Sequence, residues 1–95
     1  MSAYAVVDLE VFDIGLYLRY QKAVRPLLES VGARYLARGG EYRVYEGDYH
    51  PSRLILLEFP SLEIMDSFFQ SEAYLALEEQ RKSCSSSRVL GVESL

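Results

Sequence analysis

Residues 53–62 read Arg53-Leu54-Ile55-Leu56-Leu57-Glu58-Phe59-Pro60-Ser61-Leu62. Leu54 to Leu57 are apolar at both parities, so a strand over Arg53–Phe59 has apolar groups on both faces and belongs at the centre of a sheet. Pro60 stops the strand because it carries no N–H for a ladder. Ser61 then offers a hydroxyl to the free N–H groups of a new helical turn. A buried strand thus hands over directly to a helix.

Downstream, Leu62, Met65, Phe68 and Phe69 recur at helical spacing, and Ser71 reads as a second cap that breaks or bends the helix. Tyr74, Leu75 and Leu77 carry the pattern to about Lys82. Ser83-Cys84-Ser85-Ser86-Ser87 reads as a loop, and Arg88 to Glu93 as the last strand. Upstream, Gly47 to Pro51 is a loop and Tyr42 to Glu46 has a strand pattern. Gly39-Gly40 separates this from a strand over Ala33–Arg38, by either a hairpin turn or a bulge. Before that, Ile14, Tyr17, Leu18, Val24, Leu28 and Val31 share one face of a helix capped by Asp13. The helix runs to about Ser30 and ends at Gly32, with a kink expected at Pro26. The chain opens with a strand from about Tyr4 to Val11. Ala5, Val7, Leu9 and Val11 point to one side of it; Tyr4, Val6, Asp8 and Glu10 point to the other. The order β-α-β-β-α-β predicts an α+β, ferredoxin-like fold: an antiparallel four-stranded sheet with its helices on one face.

The 95 residues fit a single domain spanning 1–95, 49% apolar and 25% charged, which excludes disorder as the main reading. No apolar run approaches the ~20 residues of a bilayer span, and no secretory signal is visible. A net charge of −4 argues against a general nucleic-acid binder. A lone cysteine, Cys84, excludes an internal disulfide and favours a cytoplasmic setting. Two helices cover only one face of such a sheet. The other face, with Tyr4, Val6 and one parity of Leu54–Phe59, presents an apolar patch that a second copy of the chain would cover. A homodimer is therefore expected, with no membrane and no nucleic acid as partners.

Arg38-Gly39-Gly40, Glu46-Gly47, Pro51-x-Arg53, Glu58-Phe59-Pro60-Ser61, Ser71-x-x-Tyr74 and Arg81 together resemble a bacterial domain-of-unknown-function family, the one numbered thirteen-thirty. The likeness covers essentially the whole chain, and the opening strand, Asp13, Tyr20 and Gly32 also fit. It departs at Val31-Gly32, where many relatives are expected to carry Gly-Gly. The resemblance implies a dimeric α/β barrel, with two sheets from two subunits closing on each other. It implies no particular activity.

Asp8, Glu10 and Glu58 are the carboxylates that adjacent first and third strands would bring to the face away from the helices. Asp8 and Glu58 are expected as neighbours there, suited to proton abstraction if enclosed, with Arg34, Arg38 and Arg53 as partners. The plainer reading is rim ion pairs. His50, the sole histidine, lies in a loop, and imidazole is a side chain suited to acid–base work near neutral pH; it also fits an exposed loop residue. The catalytic candidates are thus Asp8, Glu58 and His50. Arg38, Gly39 and Gly40 combine a guanidinium with backbone N–H groups, and with Arg53 they are candidate binders of a carboxylate or phosphate. A plain turn explains the glycines equally. Arg81 reads as a charge complementing a helix C-terminus. The eight tyrosines either line a pocket for a planar ligand or fill core and interface. No metal-ligand spacing, dinucleotide fingerprint or hydrolase triad is present, so no metal and no cofactor are expected. Residues 19–53 hold seven basic and four acidic side chains, and residues 54–82 hold six acidic and two basic.

The leading expectation is a homodimer binding a small acidic or aromatic metabolite in a pocket between sheet and helices. Whether it is an enzyme stays open. One alternative is a cofactor-independent isomerase or oxygenase of small aromatic compounds, by fold analogy alone. Another is a structural or regulatory dimer without ligand.

Overall fold

A computed structural model describes residues 1–95. Strands β1 (Ala3–Val11), β2 (Arg34–Arg38), β3 (Leu54–Phe59) and β4 (Ser85–Glu93) alternate with helices α1 (Ile14–Ser30), α2 (Leu62–Gln70) and α3 (Glu72–Cys84). The sheet order is β2-β3-β1-β4 and every pairing is antiparallel. The apolar β3 is therefore central, as its two-sided pattern predicts. The fold is α+β and ferredoxin-like, with the helical layer on one face of the sheet.

Three caps set the helices. The Asp13 carboxylate accepts from the Leu16 N–H, the Ser61 hydroxyl from Ile64 N–H, and the Ser71 hydroxyl from Tyr74 N–H. The Ser71 break divides the second helical segment into α2 and α3. α1 continues unbroken through Pro26, and Gly32, at φ 78°, turns the chain toward β2.

The two parities of β1 separate as expected. Ala3, Ala5, Val7 and Leu9 are buried beneath the helices, joined by Ile55, Leu57 and Phe59 of β3. Phe59 is fully buried, with ring centroids of Phe68 and Phe69 at 5.5 and 5.8 Å. Gly91 of β4 lies close beneath α2: a β-carbon there would meet the Met65 Cε at 2.4 Å, so a larger residue requires that methionine side chain to move.

Three expectations are corrected. Tyr42–Glu46 forms no strand: residues 39–53 are irregular and leave the outer edge of β2 unpaired. The irregularity in β2 is a register shift between Tyr35 and Ala37, not at the glycines, and Gly39 (φ 66°) instead turns the chain out of the sheet. The serine-rich stretch is no loop. α3 runs to Cys84, and Ser85, Ser86 and Ser87 pair with Val11, Glu10 and Leu9. The Ser85 hydroxyl donates to the Arg81 carbonyl at 2.6 Å, so local side-chain bonding replaces a linker.

Candidate functional site

The open face is ordered by register. Its middle row runs Ala37, Leu56, Val6 and Leu90, and the adjoining row Arg34, Glu58, Tyr4 and Val92. Toward the other end, Asp8 pairs with Leu54 and Arg88, and Glu10 with Ser86. The expected neighbourhood of Asp8 and Glu58 is therefore corrected. Glu58 lies opposite Tyr4, four residues along β3 from Leu54, which at about 3.4 Å per residue places it roughly 14 Å away. Glu58 instead accepts from Arg34 Nε at 2.7 Å.

Asp8 and His50 line one cleft. The 39–53 loop bends over this end of the sheet, and Asp8, Glu10, Tyr49, His50 and Arg88 line a polar cleft of about 280 Å³. The Tyr49 hydroxyl donates to Asp8 at 2.5 Å. That bond raises the Tyr49 phenol pKa, because the hydroxyl proton is held by a carboxylate.

The arginine and glycine candidates gather elsewhere. Arg38 stacks on the Tyr35 ring at 4.9 Å, and Arg53 on the Tyr17 ring at 5.7 Å. Arg53 also packs over Gly39, where a β-carbon would come within 3.0 Å of its guanidinium carbon. The Gly39 N–H donates to the Leu54 carbonyl at 2.8 Å, so it is not free to hold an anion. Gly40 is exposed with open space beside it.

Tyr17 and Tyr35 open a different site. They wall a cavity of about 50 Å³ between α1 and the sheet, together with Tyr20, Gln21, Tyr74 and Arg81; the rest of its lining is apolar, including Val7, Leu57 and Phe68. Helical spacing produces this wall: Tyr17, Tyr20, Val24 and Leu28 all lie on the buried side of α1. Burial pushes the phenols of Tyr17, Tyr20 and Tyr35 above their ordinary 10.0, Tyr20 most of all. Arg53 opposes the shift at Tyr17, Arg38 at Tyr35 and Arg81 at Tyr20.

Arg81, read from the sequence as a charge complementing a helix C-terminus, is buried. It is only 7% exposed. One terminal nitrogen donates to the Ser87 hydroxyl, and the other lies 3.7 Å from Glu78, whose carboxylate is nearer Lys82 at 3.0 Å. Its Nε is buried without a partner, as is that of Arg53. A helix-end arginine ordinarily reaches solvent; the serine run at Ser85–Ser87, which holds this one in place, was the available signal.

The fold and this cavity define an α+β protein of the ferredoxin-like class with a small, partly open space under its helices. Residues 2–95 match the family described as a domain of unknown function, DUF1330, and the chain belongs to that family. Among solved structures it is similar to a protein of unknown function from Rhodopseudomonas palustris, with a TM-score of 0.79 at 16% identity over 99% of this chain and 82% of that one. It is also similar to SnoaB, a cofactor-independent oxygenase from Streptomyces nogalater, with a TM-score of 0.71 at 8% identity over 99% and 93% of the two chains. A dimeric ferredoxin-like protein of unknown function from Thermobifida fusca gives 0.65 at 10% identity over 99% and 92%. These likenesses concern the fold. No curated protein is significantly similar to the chain. No helix is long and apolar enough to cross a membrane.

Proposed function

We propose that the protein is a homodimer in which each subunit binds a small acidic or aromatic metabolite in the cavity between α1 and the sheet. The composition of that cavity carries the reading. Its walls are largely apolar, its polar groups are few, and they are phenols, one amide and a guanidinium. Apolar enclosure with a small number of fixed polar contacts is the general character of a ligand site. Its size favours the acid over the aromatic ring: about 50 Å³ holds only a few water-sized groups, each needing about 10–15 Å³.

The dimer reading rests on the open face. Leu90 and Val92 are 66% and 53% exposed and continue the rows of Val6 and Tyr4. Such a stripe fits a self-complementary interface, and the Thermobifida fusca neighbour is itself dimeric. Chemistry of the SnoaB kind has less support here. The expected acid–base groups Asp8, Glu58 and His50 belong to the open face, while the cavity lies under the helices.

Amide NMR spectra of the protein, titrated separately with propionate, benzoate and phenol, test the reading. Saturable shifts centred on Tyr17, Gln21, Tyr35 and Phe68 are expected with at least one of them. If all three leave those residues unmoved, the cavity is packing space and the proposal fails.

A further inference from the structure

We infer that Tyr42–Glu46 is an arm that pairs with the outer edge of β4 in the partner subunit; this rests on the reading of the open face as the interface between two copies.

The first support is the state of the arm. Tyr42, Val44 and Tyr45 are residue types that strands favour. Yet no backbone hydrogen bond within the subunit involves residues 40–52, and every residue from Leu36 to His50 is exposed. Tyr45 is 92% exposed. Three large apolar side chains on a segment that touches so little of its own chain form a contact surface.

The second support is an edge of matching character. β4 pairs with β1 over nine consecutive residues and has no strand on its other side. It carries no proline, lysine or bulge, the features that ordinarily guard an edge. Val89, Leu90 and Val92 stand exposed along it. β2, at the opposite edge, is five residues long, is interrupted by a register shift and carries Arg34 and Arg38, so it is guarded.

The third support is position. The arm leaves from β2, and the order β2-β3-β1-β4 puts β4 at the far side of its own sheet. The same loop crosses the end of the open face, where Tyr49 donates to Asp8 and lines a cleft with Arg88. A second sheet laid on Val6, Leu56 and Leu90 therefore meets it. A two-fold axis along the strands reverses the sheet order of the partner. Each β2 then lies over the partner's β4 at the roughly 10 Å spacing of stacked sheets. Gly39, Gly40 and Glu41 span that gap at about 3.3 Å each.

Amide hydrogen exchange, read residue by residue, provides the test, with sedimentation equilibrium on the same samples. In the dimer, alternate amides along Tyr42–Glu46 should exchange at least tenfold more slowly than in an unstructured peptide of that sequence. The β4 amides facing away from β1 should gain the same protection. Dilution to the monomer, or Val6→Asp, should remove both. Tyr45→Ser, a change at a side chain that a lone subunit leaves in water, should weaken the dimer at least tenfold. A dimer whose arm exchanges freely overturns the inference and leaves the dimer reading standing. So does protection that survives in the monomer, which places the arm on its own chain, or an arm protected while the outer amides of β4 are not. A chain monomeric at every concentration overturns both.

Discussion

Charge is placed differently on the two faces of the sheet. On the open face, Glu58 meets Arg34 and Asp8 meets the Tyr49 hydroxyl, and solvent reaches these groups. Under the helices, Arg81 lies in a largely apolar wall with its Nε unanswered. The apolar groups show the reverse. Those under the helices are satisfied by Phe59, Phe68 and their neighbours, while Leu90 and Val92 of the open face stand in water. Each face is therefore incomplete in its own way. One presents apolar side chains without cover; the other holds a buried guanidinium nitrogen without an acceptor.

The largest expected effect breaks the open face. Val6→Asp places a charge in the central row of both subunits, and the dimer should weaken about thousandfold, because each buried unpaired charge costs several kcal/mol. Sedimentation equilibrium reads this directly, and an unchanged dimer would show that the face is not the interface. Phe59→Ala tests the covered face as the folding core. A fully buried Phe lost from an aromatic cluster should remove about 3–5 kcal/mol of stability in urea titrations.

Alkaline titration sharpens the contrast more gently. Tyr17, Tyr20 and Tyr35 have phenol pKa values raised by burial in the folded chain. Above pH 10 the unfolded chain releases these protons and the folded chain keeps them, so stability is full below pH 10 and falls as pH rises beyond it. Tyr20→Phe removes one such proton and should reduce the loss between pH 9 and 11 by about 1.4 kcal/mol in total, read from urea midpoints. The smallest effect belongs to Glu58→Gln. Arg34 is 70% exposed, and an ion pair so wet contributes at most about 1 kcal/mol. A larger loss in urea titration would mean that this pair is covered in the assembled protein.

Periodicity made most of the fold legible. The two parities of β1, the two-sided β3 and the caps at Asp13, Ser61 and Ser71 are local signals, and the structure follows them. Tyr42–Glu46 misled because alternation reports only a segment's compatibility with a sheet, and here the segment leaves the free edge of β2 unpaired. Ser83–Ser87 misled because serine composition suggests a loop, whereas hydroxyl bonds to the Arg81 carbonyl and pairing with β1 decide the matter. For the site, alternation put Asp8 and Glu58 on one face correctly, but register separated them, and register is set by the whole sheet. Arg38 and Arg53 were visible as cations and came to lie on Tyr35 and Tyr17. Arg81 was legible only as a charge near a helix end, since its burial depends on how α3 settles against β4.

The most direct measurement is a crystal structure of the protein. The account predicts two copies with open faces apposed across Val6, Leu56 and Leu90. Open faces left in solvent would contradict it.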